Sequence, residues 1–134
     1  MGLVAAALIG AMSLTACGGD SNDGGGGGGT TGPSSDMKVG LAYDIGGRGD
    51  KSFNDSAAAG LEKAQAELGI KKENVKELSA RANETDADRA TRLDLLAKGG
   101  YNPIIAVGFA YAKALGQVAP KYPDIKFGIV DAVS

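Results

Sequence analysis

An acid, an amide and an aromatic ring fall within one short stretch, Asp44-Ile45-Gly46-Gly47-Arg48-Gly49-Asp50-Lys51-Ser52-Phe53-Asn54. Three glycines in such a stretch raise the question of a phosphate loop. A P-loop requires Gly-Lys-Ser/Thr in sequence, and here Asp50 separates Gly49 from Lys51. A dinucleotide fingerprint requires G-x-G-x-x-G leading into a helix, and glycines at 46, 47 and 49 do not fit it. Asp44 and Asp50 would also repel an anion. Catalysis by a Ser-His-Asp or Cys-His arrangement is excluded because the chain has no histidine and one cysteine, Cys17. Metal centres built on His or Cys fall for the same reason. Asp44, Asp50 and Asp131 lack the spacing of an EF-hand, and no metal or other cofactor is expected. Arg48-Gly49-Asp50 spells an adhesion tripeptide, for which chance is the better explanation.

What fits these side chains is an uncharged, flat, hydrogen-bonding ligand. A Phe53 face stacks on a base for about 1–3 kcal/mol. Asp44 accepts from a ring N–H or a sugar hydroxyl, and Asn54 donates and accepts at once, as a purine edge requires. Phe109 offers a second wall. Each residue also has a plainer reading: Phe53 as a helix-start residue packed in the core, Asp44 as a cap to the glycine amides, Asn54 as part of a helix cap. Tyr111 reads as packing rather than contact. A net charge of −2 gives no basic patch, so nucleic acid is not an expected partner.

The elements that must position these residues alternate in type. Lys38–Tyr43 reads as a buried strand ending at Asp44. Phe53, Ala57, Gly60, Leu61, Ala64 and Leu68 recur at helical spacing, with Ser52 and Asp55 placed as a box-like start and Gly69 as the left-handed stop. Asn74–Leu78 is a weaker strand. Thr85 opens a second helix whose inner face is Ala90, Leu93, Leu96 and Ala97, with Asp86 and Asp88 favourable at its positive end. Ile104–Val107 is a third strand. Ala112, Leu115, Ala119 and Tyr122 mark a third helix, and Lys126–Val130 a fourth strand. The pattern βαβαβαβ predicts an α/β fold, a parallel sheet with helices on both faces. Right-handed crossovers give the order 2-1-3-4. Ligands bind at the switch point of such sheets, beyond the carboxyl ends of the strands. There the Asp44–Asn54 loop meets Gly108-Phe109. No helix follows the fourth strand to cover it, and this reads as the front part of a longer protein.

The first 36 residues form a different region, with no Lys or Arg. Leu3–Leu14 is apolar but too short for a resident membrane helix, and reads as the core of a secretory signal over residues 1–16. The usual positive start of a signal is missing, so the true start is expected upstream. Leu14-Thr15-Ala16-Cys17 resembles a bacterial lipobox, making Cys17 an acylation site and the membrane a partner through two lipid chains. Residues 17–36 then form a Gly-rich tether, and residues 37–134 the folded part.

The folded part resembles the basic membrane protein family, the substrate-binding lipoproteins of ABC importers that include purine nucleoside receptors. The pattern D-x-G-G-x-x-D-x-S-F-N carries the resemblance, supported by "IIAVGFAYAKALGQVAPKYPDIKFGIVD". The resemblance implies the N-terminal lobe of a two-lobed type I periplasmic-binding-protein fold, truncated here. It implies a purine nucleoside held between lobes and an ABC permease as partner, with no catalysis. Asp44, Phe53 and Asn54 would contact the nucleoside, with Phe109 and Asp131 as weaker carry-overs. A sugar or autoinducer receptor of the same fold, or a sensor or adhesion lipoprotein without transport, are the alternatives.

Overall fold

A computed structural model describes residues 35–132. Four strands, β1 (Val39–Tyr43), β2 (Val75–Ser79), β3 (Ile104–Val107) and β4 (Phe127–Val130), alternate with three helices, α1 (Phe53–Leu68), α2 (Asp86–Lys98) and α3 (Ala112–Val118). All pairings are parallel, and the order is β2-β1-β3-β4, as the crossover rule requires. The chain turns one way from β1 to β2 and the other way thereafter. Right-handed crossovers therefore put α1 on one face and α2 and α3 on the other.

Each strand feeds both faces because successive side chains alternate. Val39, Leu41 and Tyr43 of β1 pack with Ala58 and Leu61 of α1, joined by Val107. Ala42, Ile104 and Ala106 pack with Leu93, Leu96, Ala114 and Val118 on the opposite face. The α1 face is thinly covered. An apolar groove of about 350 Å³ runs beside that helix, lined by Leu61, Leu68, Ile70, Ile105 and Val130 among others. Among the described residues nothing closes it, and β4 is only partly buried.

The strands start or end within one residue of the expected bounds. The helices differ in more instructive ways. The inner stripe of α1 is Asn54, Ala58 and Leu61 rather than one running through Phe53, Gly60 and Leu68, which are exposed. Alanines on several sides of α1 blur the apolar stripe, and the inward amide of Asn54 is invisible to a hydrophobic pattern. The third helix stops at Val118 and continues as a 3-10 turn, Ala119–Lys121. Its buried positions are Tyr111, Ala114 and Val118, and Ala112 is exposed. Tyr111, in the tight turn before α3, sets the phase of that stripe. Gly69 takes the left-handed conformation at the end of α1.

The chain enters the lobe at the amino edge of the sheet. Ser35 pairs with Ile70 in an isolated parallel bridge, its amide donating to Gly69 O at 2.9 Å. Lys71 pairs with Asp36 at 3.2 Å beside it.

Candidate functional site

The Asp44–Ser52 loop spends many of its polar groups on itself and on the residues of α1 and β2 around it. Gly46, Gly47 and Gly49 have φ of 100°, 59° and 97°, backbone that a side chain would strain. The amide of Gly47 closes a turn on Asp44 O at 3.2 Å. The expected Ser52 cap does not form; Ser52 occupies the cap position without a side-chain bond. Asp50 takes over. Its carboxylate accepts from the amides of Ser52 at 2.8 Å, Asp55 at 3.1 Å and Asn54 at 3.2 Å. Burial opposes its ionisation, yet these three amides prevail and hold its pKa below the ordinary value. Asp55 reaches backwards rather than completing a box with Ser52, accepting from Gly49 at 2.6 Å and Lys51 at 2.9 Å. A true capping box forms instead at α2, where Thr85 and Asp88 exchange bonds.

Two consequences are chemical. The amides that a phosphate would use at this helix start are already occupied by carboxylates, so the loop presents no anion cradle. The Arg48-Gly49-Asp50 tripeptide is not free either. The Asp50 carboxylate is engaged in its cap, and Arg48 forms ion pairs with Glu62 at 2.5 Å and Glu77 at 2.7 Å.

The expected site residues are distributed as follows. Phe53 is the first residue of α1 and is 52% exposed, so it is not a core residue. Asp44 follows β1; one carboxylate oxygen accepts from the Ile45 amide at 2.8 Å. The other approaches β3, where a Cβ on Gly108 would lie 2.6 Å from it. Gly108, at φ 99°, is therefore the vacancy that admits Asp44. Phe109 follows at once and is 71% exposed. Asp131 follows β4 in a left-handed conformation, φ 62°, and Gly108 binds the adjoining Val130 O at 2.9 Å. Asp44, Phe53, Phe109 and Asp131 thus share the carboxyl edge of the sheet, around the β1/β3 switch point.

Asn54 departs from expectation. It is 2% exposed, and its carboxamide is spent on the loop. Its oxygen accepts from the Asp44 amide at 3.1 Å, and its nitrogen faces Asp44 O and Ile45 O at 3.4 Å. Its work here is to fasten Asp44 to α1, which places acid and ring together. A polar residue directed inward at a helix start leaves no mark in an apolar pattern.

Sequence reasoning also missed three features. Ile45 is half exposed beside Asp44 and adds apolar surface at the same edge. Tyr43, buried at the end of β1, donates its hydroxyl to Glu77 at 2.5 Å; burial, then Glu77, pushes its pKa up. Tyr111 is fully buried, as the packing reading held, but its hydroxyl also works. It donates to Tyr43 O at 3.0 Å and accepts from Arg92 at 2.7 Å. Arg92 in turn is paired with Glu84. This chain ties the root of the first loop to the turn that carries Phe109. Cys17, the expected acylation site, lies outside the described residues.

Residues 37–134 match the family described as Bmp, ABC transporter substrate-binding protein PnrA-like. An uncharacterised lipoprotein of Pyrococcus horikoshii is 40% identical over 99 residues, covering 73% of this chain and 23% of its own length. The ABC transporter nucleoside-binding protein BmpA of Lactococcus lactis is 29% identical, with 74% and 28% covered. Among solved structures, an ABC transporter system solute-binding protein from Aeropyrum pernix superposes with a TM-score of 0.63 at 37% identity. That match covers 73% of this chain and 25% of the other. The chain therefore spans about a quarter of the length of each of these three proteins.

Proposed function

Starting from the fact that this chain belongs to the Bmp family of ABC transporter substrate-binding proteins, we propose that it supplies one lobe of a purine nucleoside receptor. The family is one of solute-binding proteins rather than enzymes, so the mechanism is capture without bond making. The ligand bridges two lobes, and their closure presents it to a permease. In this reading Phe53 stacks on the base, Asp44 accepts from a ring N–H or ribose hydroxyl, and Phe109 and Asp131 border the same ledge. Asn54 holds Asp44 against α1. Residues 1–16 direct export, and acylated Cys17 with the tether of residues 17–36 keeps the receptor on the outer face of the membrane.

One observation carries the reading: a half-exposed Phe53 at a helix start, joined through Asn54 to an acid at the switch point. The experiment is titration calorimetry of the full-length, two-lobed protein with inosine, guanosine and adenosine. Phe53→Ala should weaken binding about ten- to a hundredfold, the worth of one stacked base. Binding of sugars with no response to any nucleoside would defeat the assignment.

A further inference from the structure

We infer that Arg48 is a positioning residue of the ligand loop, a clamp that holds Asp44–Ser52 in its binding shape before the ligand arrives. This rests on the nucleoside reading above and deepens it. The family pattern D-x-G-G-x-x-D-x-S-F-N leaves position 48 open, so the resemblance assigns Arg48 nothing.

The geometry is that of a cross-tie. Arg48 stands at the middle of a loop whose three glycines have no conformational stiffness of their own. Its Nε and Nη2 both donate to Glu77, at 2.7 and 3.0 Å, in a two-point fork. Its Nη1 donates to Glu62 of α1 at 2.5 Å. Glu77 belongs to β2 and also accepts the Tyr43 hydroxyl. Tyr43 immediately precedes Asp44. Arg48 therefore connects the loop's midpoint to the helix on one side and, through the neighbouring strand, to the loop's own root on the other.

The value of the tie is geometric rather than energetic. Arg48 and Glu62 are exposed and Glu77 is partly so, and ion pairs near the surface add little to folding stability. A planar guanidinium, however, fixes direction as well as distance, which a lysine ammonium does not. Ordering a glycine-rich loop at the moment of binding reduces affinity; a loop ordered beforehand avoids that loss. The signature of Arg48 should accordingly appear in affinity and loop exchange, with little change in melting temperature.

The test compares Arg48→Ala, Arg48→Lys and wild type in the full-length protein. The measurements are inosine affinity, thermal melting and amide hydrogen exchange of the ligand-free state. Arg48→Ala should weaken inosine binding about tenfold, speed exchange at Gly47 and Gly49, and leave melting nearly unchanged. Arg48→Lys should behave like Arg48→Ala, because a point charge cannot bridge strand and helix with a fork. Wild-type exchange in Arg48→Ala overturns the clamp, as does wild-type affinity. Full recovery with Arg48→Lys also overturns it and assigns the residue to charge alone. If wild type binds no nucleoside, the ligand reading fails, and the exchange measurement still decides the clamp.

Discussion

The two segments that meet at the carboxyl edge of the sheet are secured in opposite ways. The Asp44–Ser52 loop is held by many polar ties: Asp50 and Asp55 on its amides and Arg48 across its middle, near solvent, and the buried Asn54 on its root. The Gly108–Tyr111 turn has one side-chain anchor, the fully buried Tyr111 held between Arg92 and the backbone of Tyr43, beside the backbone bond from Gly108 to Val130. Many weak ties let a loop keep a fixed shape on three left-handed glycines, and they fail one at a time. A single buried anchor leaves Phe109 free to stand out from the surface, but it fails all at once. The comparison separates stability from shape, and each half can be broken separately.

The largest effect should follow loss of the buried anchor. Tyr111→Ala removes a fully enclosed aromatic ring and should cost about 3–5 kcal/mol in urea unfolding. Acid reaches the same anchor reversibly. Hydrogen bonds from Arg92 hold the Glu84 carboxyl below its usual range against the effect of burial. A depressed folded pKa means that the stabilisation is complete above the ordinary Glu range. It should be lost as pH falls through the lower folded value, which melting curves across pH would record.

Gly108→Ala tests the contact between the two segments. The new Cβ would meet Asp44 at 2.6 Å on a left-handed backbone. A cost of about 1–3 kcal/mol is expected, and under the proposed nucleoside reading affinity should fall as Asp44 moves. Within the first loop, Asp50→Ala removes the helix cap and should cost about 0.5–2 kcal/mol in chemical denaturation. Ser52→Ala should change stability by less than about 0.5 kcal/mol, since its hydroxyl makes no capping bond. A large loss at Ser52 and none at Asp50 would reverse the assignment of the cap.

The sheet and its switch point were legible because they rest on local signals: apolar runs for β1 and β3, glycines at helix ends, and a handedness rule that needs no coordinates. Asp44 and Phe53 could be placed at one edge on that basis. The fastenings could not. Tyr43 and Glu77, Arg92 and Tyr111, Arg48 and Glu77 are partners far apart in sequence, and no spacing announces them. The choice between Ser52 and Asp50 as cap turns on backbone angles that three nearby glycines leave open. An amide at a helix start such as Asn54 has two possible directions, and only packing selects the inward one.

The bridge from Ser35 to Gly69, with its Lys71–Asp36 pair, lies at the opposite end of the sheet from Phe53 and Asp44. Tension arriving along the polypeptide from upstream is delivered at that end, where α1 gives way to β2. It would be spread as shear along the strands before reaching the ledge. If residues 17–36 act as the proposed tether, their pull enters the sheet at the end remote from Phe53 and Asp44.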